Sequence, residues 1–463
     1  MAVFLPMLEA EHLARPAKRL VAVCLFFFVL ALSLRVALVL ALPNQGLIPP
    51  REMERVAQSW AKYGSLANPY ATPTGPTAHV APVYPVLLGT VYRVFGTGSR
   101  GRFAQAMLSC TLSALRSALV LPLALAIGLG WRAGIIGAAL SVPYISAFNT
   151  ELRGGWEAPL AALLLMAVVW LAYRFSERPD FGSRKAIALG LFAGATLLTC
   201  PIFLPVFVLL ITAAISLRKC SLSQFGVWAI VLGASAGVVV APWALRNWRV
   251  LGHPVMLRSN FGLELSLAYN NSGYTSALDP HVLDMHPAIS PEVSLQVAKL
   301  GEIAFNERRY REAVFWIEGH PGKSLRLLEA HIVYFWFPPA QVTLFRVMLA
   351  GLTVCSGLGW WAMRAQSPRA AALIGMVWVA FPVIYYVTYW SSRYRYPMDW
   401  TLLLATAALL DLLGKRFSRN RVVSALEPQR KGRAATRVAA AFSWAQVECT
   451  STLPLPADAL IVG

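Results

Sequence analysis

Two carboxylates, Glu52 and Glu54, stand in the polar stretch Arg51-Glu52-Met53-Glu54-Arg55, a few residues behind the first long apolar run of the chain. A carboxylate at a water boundary can take a proton from an attacking nucleophile, the elementary step of general-base chemistry. Far away, Ser392-Arg393-Tyr394-Arg395-Tyr396-Pro397 brings two guanidiniums together, and their forked donors match anionic oxygens. Arg246 and Arg249 repeat that chemistry at the end of another apolar run. His79 lies in Pro76-Thr77-Ala78-His79, and Glu157 follows a short polar turn containing Glu151, Arg153 and Trp156. Arg116 stands alone about half-way along an apolar run.

Each of these residues has a plainer role open to it. Glu52 and Glu54 would solvate an amphipathic helix and pair with Arg51 and Arg55 if they did no chemistry. Arg393, Arg395, Arg246 and Arg249 either bind an anion or snorkel to headgroups. His79 either orients an acceptor or is structural, and Gly75 before it reads as a turn glycine. Glu157 faces a cavity or caps the next helix. A charge at the depth of Arg116 needs a partner or a wet cavity, so it suits a support for an active-site wall. Arg35, nearer the outer leaflet, is explained by snorkelling, and Trp336, Trp390 and Trp400 by interfacial anchoring.

The elements that must position these groups are membrane spans. Of 463 residues, 57% are hydrophobic and 14% charged, the mean hydropathy is +0.56, and apolar runs near twenty residues recur. That is the length that crosses a bilayer core. Runs such as Leu160 to Leu171 are apolar on every side, which excludes the alternation of a membrane β-barrel. An all-α polytopic protein with about ten spans follows: Leu20–Leu42, Phe103–Ile127, Ala133–Phe148, Ala158–Tyr173, Ala186–Cys200, Ile202–Leu217, Gly226–Leu245, Val342–Met363, Ala370–Trp390 and Met398–Leu413. The first is too long for a signal-peptide core and no small-x-small site closes it, so it is expected to stay uncleaved.

Val83–Phe95 is apolar but short, and it decides the topology. If it lies in the interface, the loops holding Arg132, Arg174, Lys185, Arg218 and Arg364 share one side with the amino terminus and the basic tail, as the positive-inside rule requires. It is therefore expected to be a juxtamembrane helix on the outer face. The expected organisation is a cytoplasmic amino terminus (1–19), a membrane module (20–245) with an outer loop (43–102), an outer cap (246–341), a final membrane segment (342–414) and a basic cytoplasmic tail (415–463) of low order. In the cap, Val293, Val297, Leu300 and Ala304 form one helical stripe, and Gly319-His320-Pro321 breaks the pattern.

The formal charge of +19 is accounted for by cytoplasmic loops and tail, a topology and anionic-lipid signal rather than a nucleic-acid footprint. Cys24, Cys110, Cys200 and Cys355 fall in spans and Cys220 and Cys449 on the cytoplasmic side, so no disulfide is expected. No zinc-ligand spacing occurs, no cofactor is evident, and the need for a divalent ion is open.

Taken in order, the acidic outer loop behind a first span, the Pro76 to Pro85 turn, Val94-Phe95-Gly96, Pro242-Trp243-x-x-Arg246-Asn247-Trp248 and the Ser392 to Pro397 motif resemble the bacterial membrane glycosyltransferases of the GT-C class. Protein O-mannosyltransferases and lipid A aminoarabinose transferases belong to that group, and the resemblance covers roughly residues 15 to 415. The chain departs from it in carrying Gly46-Leu47-Ile48-Pro49 where many members have an Asp. The resemblance implies transfer of a sugar from a polyprenyl-phosphate donor to a lipid, glycan or protein acceptor on the periplasmic side of the bacterial inner membrane. It implies Glu52 as general base, with Glu54 in reserve; the residues themselves offer Arg393, Arg395 and Arg246 for the donor phosphate, and His79, Glu157 and Arg116 for the acceptor or as supports. A transporter or lipid flippase is the contrasting class, expected to show inverted repeats and broken helices near mid-membrane; a surface-glycan ligase or polymerase would place its key residues in a large late outer loop.

Overall fold

The computed structural model describes residues 14–41, 50–144, 148–177, 182–216, 221–273, 284–339, 343–391 and 393–418. The basic tail beyond Ser418 and the segment 42–49 lie outside the described residues. The chain divides into two compact units, Met1–Leu410 and Asp411–Gly463. In the second, Lys415 Nζ meets Asp411 Oδ2 at 2.6 Å, one helical turn apart.

Helices build the described residues, which hold no strand; an antiparallel bridge joins Ala67 to Pro76. Lipid offers no partner for backbone N–H and C=O groups, so helices satisfy their own. In chain order these are α1 (Ala14–Ala41), α2 (Glu52–Tyr63), α3 (Val83–Phe95), α4 (Ser99–Ala126), α5 (Trp131–Ser141), α6 (Phe148–Arg153), α7 (Ala158–Glu177), α8 (Ser183–Leu197), α9 (Phe203–Ser216) and α10 (Leu222–Leu251). There follow α11 (Phe261–Ala268), α12 (Pro291–Leu300), α13 (Glu302–Gly319), α14 (Pro321–Trp336), α15 (Thr343–Gln366), α16 (Pro368–Ala380), the single turn α17 (Val383–Tyr386) and α18 (Arg393–Ser418).

A helix stands at each of the ten expected spans. Among the described residues, seven helical stretches are long and apolar enough to cross a bilayer: those of α1, α4, α7, α10, α15, α16 with α17, and α18. The other three, α5, α8 and α9, have 11, 15 and 14 residues. At ~1.5 Å per residue each falls short of a hydrocarbon core of about 30 Å. Val83–Phe95 is a separate 13-residue helix lying against α2.

The main core gathers side chains of α4, α7, α9, α16 and α18, among them Leu165, Val169, Phe203, Ile374 and Trp400. Trp390 and Trp400 belong to this core, at 4% and 0% exposure, which corrects their reading as interfacial anchors: their large rings fill space between helices. Outside it, Met53, Val56, Tyr84 and Leu88 join α2 to α3, while Leu263, Val297 and Phe305 of the cap pack with Tyr70 and Tyr389 from outside it.

The cap is helical through 291–336 and breaks at Gly319 to Pro321. Its apolar stripe differs from expectation. Val297 and Phe305 are buried, whereas Leu300 is 45% exposed and Ala304 also faces out. Gly301, at φ +81°, ends α12 and starts α13 on a new phase, which a stripe drawn through one continuous helix cannot follow.

Candidate active site

Helix α2 begins directly after Pro49-Pro50, with Arg51 extended and no side-chain cap, and places Glu52 and Glu54 in its first turn. Negative charge is favoured there by the N–H groups of a helix start. Neither residue is a solvated face: Glu52 is 9% and Glu54 3% exposed. Nor do the flanking arginines serve mainly as their partners, since Arg51 Nη1 donates to Gly154 O and Arg55 Nε to Pro50 O, both at 3.1 Å.

Glu52 Oε1 faces two imidazoles, His286 Nε2 at 3.6 Å and His79 Nε2 at 4.0 Å. His286 Nδ1 accepts the backbone N–H of Ala288 at 3.0 Å, which leaves the ring proton on Nε2, toward the carboxylate. Tyr70 OH lies 3.1 Å from His79 Nδ1, and its donation there turns the Nε2–H of a neutral His79 the same way. Burial pushes the His79 imidazole down to about 3, with Glu52 acting against that fall, so His79 is neutral near pH 7. Burial alone would raise the Glu52 carboxyl, but His286, His79 and Arg393 outweigh it and hold the group at about 2. Glu52 is therefore an anion throughout the neutral range.

Glu54 has the opposite character. Burial raises its carboxyl above the usual range, against Arg153, whose Nη2 is 3.8 Å away, and Arg51. The turn Gly154-Gly155 closes over it. A Cβ on Gly155 would stand 2.1 Å from Glu54 Oε1, and the residue's φ of +83° also favours glycine. Glu54 thus anchors the turn that leads into Trp156.

Trp156 joins the two distant clusters of the sequence. The Arg393 guanidinium lies 3.4 Å from the centre of its ring and that of Arg51 lies 5.4 Å away, both cation–π contacts. Arg393 Nη2 donates to Tyr394 OH at 3.2 Å, while Nη1 is buried without a hydrogen-bond partner. Arg393, Trp156 and Glu157 line a cavity of about 460 Å³ together with Arg258, Asn260 and Glu264. Ile202, Leu204, Pro205, Val383, Ile384 and Val387 make much of the rest of its lining apolar. Arg258 Nε donates to His79 O at 3.0 Å, and its Nη1 is 3.7 Å from Glu157 Oε1, so Arg258 links the cavity to the Glu52 group. Such a mixed lining can hold both an anion with polar groups and a hydrocarbon chain.

Three arginines of the sequence reading lie elsewhere. Arg395 is 2% exposed and its donors go to protein: Nε to Asp399 Oδ1 at 2.7 Å, Nη1 to Trp336 O at 3.1 Å and Nη2 to Tyr144 OH at 3.4 Å. Arg246 braces the outer loop, with Nη1 donating to Thr77 O at 2.8 Å and Nη2 to Leu66 O at 2.6 Å. Arg116 is fully buried, 3.3 Å from Glu151 Oε1 and 4.7 Å from the centre of the Tyr396 ring. Arg35 corrects its snorkelling reading: it is fully buried and donates to Glu151 Oε2 at 2.6 Å, while Tyr396 OH donates to Glu151 Oε1 at 2.5 Å. A charge placed between helices keeps its partner inside the protein rather than reaching for headgroups. Gly75, at φ +82°, sits in a turn where Asn68 Oδ1 accepts from the N–H of Thr74 and Gly75.

No family model and no curated protein sequence matches the chain. Solved structures do. The archaeal oligosaccharyltransferase AglB from Archaeoglobus fulgidus, in complex with an inhibitory peptide and a dolichol-phosphate, superposes with a TM-score of 0.54 at 12% identity, over 88% of this chain and 52% of that one. The apo form of the Archaeoglobus fulgidus oligosaccharyltransferase gives 0.52 at 14% identity, over 87% and 52%. The fold is that of the GT-C membrane glycosyltransferases. The present chain spans about half the length of the oligosaccharyltransferases it matches. Among its described residues, no group of three His, Cys, Asp or Glu side chains is arranged to hold a metal ion.

Of the site, Glu157 and Arg393 line one cavity, and Glu52 and His79 stand behind it, linked to it through Arg258 and by the charge of Arg393. Arg258, His286 and Glu264 were not singled out from sequence. They lie in the segment between α10 and α12, where no spacing marks them, and they reach the site only because the cap folds back. Trp156 was visible in its turn, but its partnership with Arg393 bridges two segments more than two hundred residues apart.

Proposed function

We propose that the protein transfers a sugar from a polyprenyl-phosphate donor to an acceptor hydroxyl or amine, in the outer leaflet of the bacterial inner membrane and facing the periplasm. The observation that carries this reading is the cavity lined by both apolar and charged side chains, whose Arg393 keeps a buried donor nitrogen without a partner. A polyprenyl chain suits the apolar lining and its phosphate the guanidinium, which offsets the negative charge that grows as the phosphate leaves. The match in fold to a protein solved with a dolichol-phosphate supports the same donor class.

The reaction forms a bond between the acceptor heteroatom and C1 of the sugar and breaks the bond from C1 to the phosphate oxygen. The electron pair leaves with the polyprenyl phosphate, and the acceptor proton passes to the Glu52 carboxylate. A carboxylate held near 2 is a weak base toward a resting hydroxyl. It becomes effective as the acceptor oxygen gains positive charge in the transition state. Its ionised form also faces the positive charge developing on the sugar ring.

The test is reconstitution with a panel of undecaprenyl-phosphate sugars, scored by donor consumption and release of undecaprenyl phosphate. Consumption of a donor by the wild type and its loss in Arg393→Gln, with membrane insertion intact, is the expected result. A protein that consumes none of the panel and binds no undecaprenyl phosphate would sink the proposal.

A further inference from the structure

The proposed donor site contains a carboxylate that the transfer chemistry does not use. Glu264 lies on α11, lines the cavity, and receives Asn260 Nδ2 on Oε1 at 3.0 Å. Its second oxygen, Oε2, is buried without a hydrogen-bond partner. Glu157, which also lines the cavity, already faces Arg258. An unpaired carboxylate oxygen removed from water is costly unless a ligand supplies the missing donor. The hydroxyls of Tyr389 and Tyr394 belong to its surroundings. A helical register of four residues sets Asn260 and Glu264 on one face, an amide and a carboxylate side by side, which together can read a vicinal donor and acceptor.

We infer that Glu264, oriented by Asn260, is a specificity residue that accepts a hydrogen bond from the sugar of the lipid-linked donor, from a hydroxyl or from an ammonium group. The inference rests on the donor reading given above. Arg393 holds the phosphate, common to every such donor, while Glu264 distinguishes what the phosphate carries. A sugar lacking the donor group at that position leaves Oε2 unpaired and binds less well, the situation in which a polar pocket discriminates most strongly.

Equilibrium binding to the full chain in nanodiscs separates the two ideas. The probes are undecaprenyl phosphate alone and undecaprenyl phosphates bearing a hexose, its deoxy analogues and an amino sugar. The wild type is expected to bind at least one sugar-bearing lipid about tenfold more tightly than undecaprenyl phosphate. Glu264→Gln, of nearly equal volume, should lose most of that preference and leave affinity for undecaprenyl phosphate unchanged; Asn260→Ala should lose part of it. The deoxy and amino lipids show whether hydroxyl or ammonium is the group read. Retention of the full preference in Glu264→Gln, equal weakening of all lipids, or absence of any preference in the wild type overturns the role of Glu264. Failure of undecaprenyl phosphate itself to bind the wild type overturns instead the lipid-phosphate reading on which it depends.

Discussion

At the scale of single residues, the two neighbouring carboxylates separate by environment. Glu52→Gln should lower transfer by about 10²–10⁴-fold, the usual range for a lost acid–base group, measured as donor consumption at saturating acceptor. Glu54→Gln should keep transfer within about threefold in the same assay, because Glu54 is walled off by Gly155 and faces Arg153 rather than the cavity rim. Equal loss in both variants would end the assignment of Glu52. The depressed Glu52 carboxyl, near 2 against an ordinary value of 4.5, gives a sign for pH. A carboxyl lowered on folding stabilises the fold above its unfolded pKa, and this is lost as pH falls through its folded value. Between pH 5 and 8 Glu52 stays ionised, so the single-turnover rate should be flat there unless another group titrates; an acid limb that vanishes in Glu52→Gln would contradict it. Sequence alone showed Glu52, Glu54 and Arg393 as chemistry-bearing because their charges stand out in an apolar chain. It did not show that Arg395, two residues from Arg393, turns inward to Asp399, since adjacent residues on α18 point to different neighbours.

Elements carry these residues to one place, and the turn between α6 and α7 does most of it. Gly155→Ala should be among the most damaging small substitutions, costing about 1–2 kcal/mol for the left-handed backbone alone, before the clash with Glu54. A loss of thermal stability together with a fall in donor affinity is expected, since Trp156 moves from Arg393; unchanged melting in detergent would refute the packing argument. Tyr396→Phe removes a buried hydrogen bond to Glu151 and should cost about 1–3 kcal/mol, read from the melting temperature. Long apolar runs made the spans legible because bilayer thickness imposes their length. The short helices α5, α8 and α9 were harder to judge, since composition reports burial but not whether the burying medium is lipid or protein. The cap's stripe failed at one glycine, where a change of backbone sign resets a phase that a periodicity count carries straight through.

For the whole molecule, the proposed orientation places α2, the 76–85 turn and the cap outside. A cysteine at Tyr63, which is 67% exposed, should react with a membrane-impermeant maleimide on intact spheroplasts, and reaction only after lysis would invert the proposed sidedness. Cys110 and Cys200 are buried and should add little background. The Arg35–Glu151 pair bears on how such a chain is made. The two residues lie 116 positions apart, so at ~5–20 residues per second the ribosome adds the anion several seconds to half a minute after the cation. During that interval the newly inserted first helix carries an uncompensated guanidinium. The nascent chain therefore has reason to linger beside the insertion machinery until Phe148–Arg153 emerges, and biogenesis rather than catalysis is where a Glu151 variant should first be felt.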